Sequence, residues 1–371
     1  MAETKTKEMR AKTEENRAKT EKMRAEEEEE AQAEVDIWNY VFGFVEMAVV
    51  KCAIELGIAD VLETHQNPMT LSELSRALGC APSSLHRIMR FLVHRRVFKA
   101  EHARDWEATR YAQTALSRRF MRQGEKSMAD IVLLESSPPM LAPWHFLSAR
   151  VLTQGENLHP FEAALGEDVW GYSAVHPAHS KLINDAMACD ARIVIPALIE
   201  GCPEVFDGVG TLVDVGGGNG VSLCKLVKAL PWIRGINFDL PHVVATAAVC
   251  EGVQNVGGNM FDAIPKADAA FIQWVLHDWG DEECIQVLKN CRESIPQDGG
   301  KVIILEAVVG EEREEKLKGV SLMLDMVMMA HTFKGKERTL KEWVYVLREA
   351  GFSRHAIKHI RAVQSVIVAY P

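Results

Sequence analysis

Thr211-Leu-Val-Asp214-Val-Gly216-Gly217-Gly218-Asn219-Gly220 decides the reading of this chain, because an apolar strand there runs straight into a glycine cluster. Glycine has no Cβ and tolerates positive φ, so such a cluster marks a sharp turn that a ligand can approach closely. Working outward, a helix follows the glycines, and a second apolar strand, Gly235-Ile-Asn-Phe238, ends in Asp239. The acid lies 23 positions after Gly216, near the roughly 20-residue interval at which βαβ units place a carboxylate on a ribose. A glycine cluster alone marks only a turn. Strand, glycines, helix, strand and acid in this order point to nucleoside binding.

Farther downstream, strands continue to alternate with helices. Ala269-Ala-Phe-Ile272, Lys301-Val-Ile-Ile-Leu305 and Ser365-Val-Ile-Val-Ala369 read as strands, and Glu282 to Arg292 and Leu340 to Ala350 have helical periodicity. This alternation predicts a parallel, doubly wound sheet with ligands at the carboxyl ends of its strands. Three strand-end residues are therefore candidates for chemistry. Phe271-Ile-Gln-Trp-Val-Leu276 leads into His277-Asp278-Trp279, Val302-Ile-Ile-Leu305 ends at Glu306, and Glu337 sits in Gly335-Lys-Glu-Arg-Thr339. A histidine so placed can act as a neutral general base, with nearby carboxylates holding its ring. Each residue also has an ordinary structural reading: a hydrogen-bonded histidine, and two solvated acids.

Upstream, residues 1–33 are a different material. Met9-Arg-Ala-Lys-Thr-Glu-Glu15 repeats as Asn16-Arg-Ala-Lys-Thr-Glu-Lys22, and an acidic run, Glu26 to Glu30, follows. Too few apolar side chains recur for a coiled-coil seam, so a solvated, disordered tail with transient helix is expected. From Val35, the residues Ile37, Trp38, Val41, Phe42, Val45 and Val49 recur at three- and four-residue steps and form one apolar helix face. Thr70 and Glu73 make a capping box, Gly79 stops that helix, and Ser83 or Ser84 starts the next. With Phe98 to Tyr111 as a two-stranded wing, the spacing reads as a winged helix. Residues 119–205 look mostly helical, broken at Ser136-Ser-Pro138-Pro139.

The chain's 371 residues leave room for two domains. A net charge of -10 argues against nucleic-acid binding through Arg87, Arg90, Arg95 and Arg96, because phosphate contacts need a basic face. No apolar stretch approaches the roughly 18 residues that span a bilayer, and the charged N-terminus does not resemble a signal peptide. The eight cysteines (Cys52, Cys80, Cys189, Cys202, Cys224, Cys250, Cys284 and Cys291) form no C-x-x-C pair. Neither a zinc site nor a disulfide framework is expected from them, and a reduced cytoplasmic setting is.

Leu212-Val-Asp-Val-Gly-Gly-Gly218, Phe238-Asp-Leu-Pro-His-Val243, Trp274-Val-Leu-His-Asp-Trp279, Gly300-Lys-Val-Ile-Ile304 and Gly335-Lys-Glu-Arg-Thr339 occur in that order. Together they resemble the plant S-adenosylmethionine-dependent O-methyltransferases of the caffeate and benzylisoquinoline alkaloid type, over about Val35 to Pro371. Trp38-Asn-Tyr-Val-Phe-Gly-Phe, Lys51-Cys-Ala-Ile-Glu-Leu-Gly57 and Trp170-Gly-Tyr172 look nearest to the norcoclaurine 6-O-methyltransferase-like branch. The resemblance implies a Rossmann-like, doubly wound methyltransferase domain over residues 119–371. A winged-helix dimerisation domain over 34–118 precedes it, and a homodimer forms without metal, nucleic acid or membrane.

It also implies roles residue by residue. Gly216 sits against the methionine part of S-adenosylmethionine, Asp239 holds the ribose hydroxyls, and Met260 and Phe261 pack on the adenine. His277 is the base, flanked by Glu306 and Glu337. Ile183, Met187, Asp278, Met328 and Thr332 match substrate-pocket positions, where flexible methionines suit a flat ring. Two departures stand out. Asn259 replaces the family's usual Asp before Met-Phe, and Gln273 replaces its usual Lys before Trp. An uncharged Asn259 toward the adenine amino group and an uncharged Gln273 toward the methionine carboxylate imply weaker cofactor binding.

The expected reaction is methyl transfer to a phenolic hydroxyl of a plant secondary metabolite. An alkaloid or related polycyclic phenol comes first, and a flavonoid or phenylpropanoid next. A winged-helix regulator sensing a nucleoside metabolite and an NAD-dependent dehydrogenase are the rival readings.

Overall fold

Two sheets organise the chain in the computed structural model, which describes residues 2–65, 67–101, 109–152, 158–310 and 315–371. The small sheet is antiparallel and joins β1 (Met69–Thr70), β2 (Lys99–Glu101) and β3 (Arg110–Ala112) in the order β1-β3-β2. The large one contains β4 (Thr211–Val215), β5 (Arg234–Asp239), β6 (Val253–Gly257), β7 (Ala269–Gln273), β8 (Lys301–Val309), β10 (Arg354–His359) and β11 (Gln364–Tyr370). Their order is β10-β11-β8-β7-β4-β5-β6, and β9 (Arg338–Thr339) pairs with the end of β8 through Val308↔Arg338.

From β4 the chain steps outward through β5 and β6, then returns to β7 on the other side of β4. The reversal opens a crevice at the carboxyl ends of β4 and β7, where doubly wound sheets take their ligands. The strands from β4 to β8 are parallel, as predicted. The exception is β11, which runs antiparallel to both of its neighbours, β8 and β10, and forms a hairpin with β10.

Both faces of this sheet are covered, which explains why its central strands are almost continuously apolar. Alternate residues of a strand point to opposite faces. Ala270, Ile272, Val302 and Ile304 accordingly join one core with Val287, Leu288 and Trp343. Their neighbours Ala269, Phe271, Ile303 and Leu305 join another with Leu198, Leu223 and Leu226.

The N-terminal domain follows the predicted pattern. Helices α2 (Gly43–Leu56), α3 (Ile58–His65), α4 (Leu71–Leu78) and α5 (Pro82–His94) pack Ile54, Ile58, Leu71, Leu74, Leu85, Met89 and Leu92 into one core. Thr70 and Glu73 form the capping box, and Gly79 ends α4 at φ 65°. The wing is β2 and β3, with β1 as an added third strand; residues 102–108, within the stretch expected to form the wing, lie outside the described residues.

The charged tail, expected to be solvated, is helical: α1 spans Ala2–Val41, with every side chain from Asn16 to Phe44 exposed. An unbroken run without Pro or Gly, rich in Ala, Glu, Lys and Arg, has the propensity for this. A disulfide is also present, between Cys224 and Cys250. The two are 26 residues apart in sequence, and the helix after the glycine loop (Val221–Ala229) meets the approach to β6 because β5 and β6 lie side by side. Among the described residues, no single helix is long and apolar enough to cross a membrane.

Candidate active site

The glycine loop leaves the end of β4 with Gly216 at φ 73°, Gly218 at φ 58° and Gly220 at φ 77°. A Cβ on Gly216 would lie 2.7 Å from Val275 Cγ2, and one on Gly217 would collide with the Asn237 amide oxygen. The turn therefore excludes side chains and leaves bare backbone facing the crevice. Asp239 closes it from the end of β5: Oδ2 accepts from the Gly218 N–H at 2.8 Å and Oδ1 from the Leu240 N–H at 2.7 Å. Beneath the loop, burial and the nearby Asp239 carboxylate push Asp214 up to about 8.

Asn259, Met260 and Phe261 follow β6. The Asn259 amide oxygen accepts the Phe261 N–H at 3.0 Å, which keeps one lone pair for another donor. Phe261 meets Trp279 edge to face with centroids 4.8 Å apart. A glycine cradle, a carboxylate and a half-buried aromatic ring along one crevice fit a nucleoside cofactor.

Gln273 ends β7, but its amide is engaged elsewhere than expected. Its Nε2 donates to Asp190 Oδ2 at 2.9 Å, alongside Trp274 Nε1 at 2.7 Å and Gln364 Nε2 at 2.8 Å. Asp190, on the Pro177–Gly201 helix, is thus a deeply placed carboxylate held by three neutral donors. Burial raises its pKa, and the hydrogen bonds from Gln364, Trp274 and Gln273 oppose the rise. Trp274 sits at φ 52°, a conformation that strains a large side chain and clusters at functional sites.

The three carboxylates and the histidine do converge. His277 Nδ1 lies 2.8 Å from Glu337 Oε1 and 3.8 Å from Glu306 Oε2, while Nε2 lies 3.7 Å from Asp278 Oδ1. Glu306 is fully buried within β8, and its Oε1 accepts the N–H groups of both Val275 and Leu276 at 2.9 Å. The Glu337 N–H donates to Asp325 Oδ1 at 3.0 Å. Arg338, also fully buried, donates to the carbonyls of Leu276 and Trp279 and pairs with Asp281. Asp190, Asp325 and Arg338 were not singled out by sequence; Arg338 alone lay inside a quoted motif.

Burial by itself would lower the pKa of His277, but Glu306, Asp278 and Glu337 outweigh it and carry the ring up to about 10. The three carboxylates thus favour the imidazolium that forms when the ring takes up a proton. Burial pushes the Asp278 carboxyl up to about 6 against the attraction of His277. Burial likewise raises Glu306. His277, Glu306 and Glu337 also have ligand atoms within 4.8 Å of one another. Nδ1, however, directs its hydrogen at the Glu337 carboxylate and offers a cation no lone pair.

Of the expected pocket residues, Met328 is buried and Thr332, one turn later, donates its hydroxyl to the Met328 carbonyl. Ile183 packs against the buried cluster that contains Met140 and Phe161. Met187 is 41% exposed and joins none of the apolar cores.

The O-methyltransferase domain profile matches residues 144–353, and the O-methyltransferase dimerisation domain profile matches residues 38–123. Acetylserotonin O-methyltransferase of Arabidopsis thaliana is 55% identical over 92% of this chain and 94% of its own length. (RS)-norcoclaurine 6-O-methyltransferase of Thalictrum flavum subsp. glaucum is 40% identical over 92% and 98%. The crystal structure of human N-acetylserotonin methyltransferase in complex with SAM shares the fold, with a TM-score of 0.80 at 22% identity over 91% of this chain and 97% of that one.

Proposed function

This chain belongs to the plant S-adenosylmethionine-dependent O-methyltransferases, and from that premise we propose that it methylates a phenolic hydroxyl with His277 as the base. The observation that carries the assignment is the contact between His277 Nδ1 and Glu337 at 2.8 Å, with Glu306 behind it, at the strand ends that flank the glycine cradle. Gly216, Asp239, Met260 and Phe261 hold the cofactor, which supplies an electrophilic methyl group when bound.

The rest falls to the chain. In the neutral ring Nδ1–H donates to Glu337 and Nε2 keeps the lone pair, so the proton of the acceptor goes to Nε2. A phenol has a pKa of about 10, so it is barely ionised at neutral pH. An imidazole raised to about 10 is a base of matched strength, and moving the proton between them costs little. Glu306 and Glu337 favour the imidazolium that forms. Asp278, 3.7 Å from Nε2, lies where it can orient the acceptor hydroxyl.

The 55% identity to a protein named for acetylserotonin, against 40% to one named for norcoclaurine, supports a hydroxyindole amide ahead of an alkaloid as the proposed acceptor. The exposed Val35, Ile37, Trp38, Tyr40, Val41, Phe42 and Phe44 supply the apolar surface for a homodimer through the dimerisation domain. The test is methyl transfer from labelled S-adenosylmethionine to N-acetylserotonin, a hydroxyflavone and a phenolic benzylisoquinoline. Absence of label in all three would reject the assignment.

A further inference from the structure

Two histidines that the reaction does not use lie beside the acceptor positions. His179 stands one turn before Ile183 on the Pro177–Gly201 helix, and His331 stands between Met328 and Thr332 on the Glu315–His331 helix and its end. They are 8% and 4% exposed. Aromatic rings surround them: Trp144 meets His331 edge-on at 5.8 Å and Phe161 does so at 6.2 Å. Phe161 in turn meets Tyr172, whose ring lies 5.2 Å from His179.

Their hydrogen bonding is incomplete in a specific way. His331 Nε2 lies 2.9 Å from the Met140 carbonyl oxygen, which can only accept, so Nε2 carries the hydrogen. Burial keeps this ring neutral, and His179 likewise. The Nδ1 of His331 is then a bare lone pair, buried and without a partner, and His179 Nε2 is also buried without a partner. An unmatched acceptor in an apolar box is costly, and a bound donor removes the cost. His179 has no carbonyl fixing its Nε2, so it can take the tautomer that donates.

We propose that His331 and His179 recognise a secondary amide of the acceptor, remote from the hydroxyl that is methylated: the amide N–H donates to His331 Nδ1 and the amide oxygen accepts from His179 Nε2. The inference rests on the O-methyltransferase reading above and adds the feature that selects among phenols. The flanking rings suit the flat body of such an acceptor, and the neutral histidine pair offers no counter-charge for a free amine.

The measurement compares N-acetylserotonin with its N-methylated tertiary amide, as kcat/KM and as affinity for the enzyme loaded with S-adenosylhomocysteine. The native protein should prefer the secondary amide by about 10- to 100-fold, mostly through KM. His331→Phe should bring the ratio close to one. His331→Gln, whose amide can still donate to Met140 and accept from the substrate, should keep most of it. His179→Phe should weaken both amides alike. A native ratio below threefold, a ratio that survives His331→Phe, or no binding of the secondary amide would overturn the inference. A hydroxyflavone and a phenolic benzylisoquinoline run alongside separate the two readings, because turnover of either would leave the methyltransferase reading standing.

Discussion

Glu337 and His277 meet at 2.8 Å through Oε1 and Nδ1, so the only ring nitrogen left for an acceptor is Nε2. The contact does more than orient the ring. Glu337, Glu306 and Asp278 together make His277 a far stronger base than free imidazole. Loss of the ring and loss of a carboxylate should therefore have different kinetic signatures.

His277→Ala should lower kcat by about 10²–10⁴-fold and leave S-adenosylmethionine affinity nearly intact, because the imidazole acts on the acceptor hydroxyl. The deficit should shrink for acceptors with a phenol pKa near the assay pH. Turnover of a weakly acidic phenol at near-normal rate by the variant would rule out this base.

Glu306→Gln removes a buried negative charge from beside the ring, so the pKa of His277 should fall from about 10. The acidic limb of kcat/KM, which reports the free enzyme, should then move to lower pH. Stability should respond with a definite sign. The folded pKa of His277 is raised, so its stabilisation is fully present below about 6.5 and is lost as pH rises through about 10. Unfolding free energy measured across that window should fall less steeply in Glu306→Gln than in the native protein. An unmoved limb together with an unchanged slope would contradict the proposed coupling.

Asp190→Ala should leave the donors of Gln273, Trp274 and Gln364 unmatched and cost about 1–3 kcal/mol in chemical denaturation. Asp190→Asn keeps an oxygen for them and should cost less. Gln273→Lys should pair with Asp190, so its benefit should appear as stability more than as cofactor affinity, with titration calorimetry as the arbiter.

Removal of residues 1–33 should leave turnover and the oligomeric state unchanged, since methionine supplies the only large apolar side chains in that segment and they are too few to pack against a partner. Gel filtration and a rate measurement suffice, and a monomeric or inactive truncation would refute it.

Reduction of Cys224–Cys250 should lower stability by about 3.5 kcal/mol, the loop-closure value for a bridge across 26 residues. Cys224→Ser should reproduce the shift and make the protein insensitive to reductant.

What the sequence made legible was local. The glycine loop, the strand ending in Asp239 and the capping box at Thr70 each declare themselves within a few residues. His277, Glu306 and Glu337 were named as separate strand-end candidates, and only the order β7-β8 with β9 alongside β8 brings them to one point. Asp190 was missed because it stands mid-helix without a motif and its donors lie 83, 84 and 174 residues away. The disulfide was missed for the same reason. Cysteine spacing says nothing when the proximity comes from two neighbouring strands. Gln273 was assigned by family position to the cofactor, and a nearer carboxylate took its amide.

The pairing of β9 with the end of β8 has a consequence for how the base is tuned. Glu306 lies on β8, two residues before Val308, which is the rung that pairs with Arg338, and Glu337 immediately precedes that rung. The two acids are thus spaced by a backbone ladder and not by side-chain packing alone. The proton affinity of His277 is in this sense a mechanical quantity. Any change that slips or frays that short ladder should detune the ring while the overall shape of the enzyme is still intact.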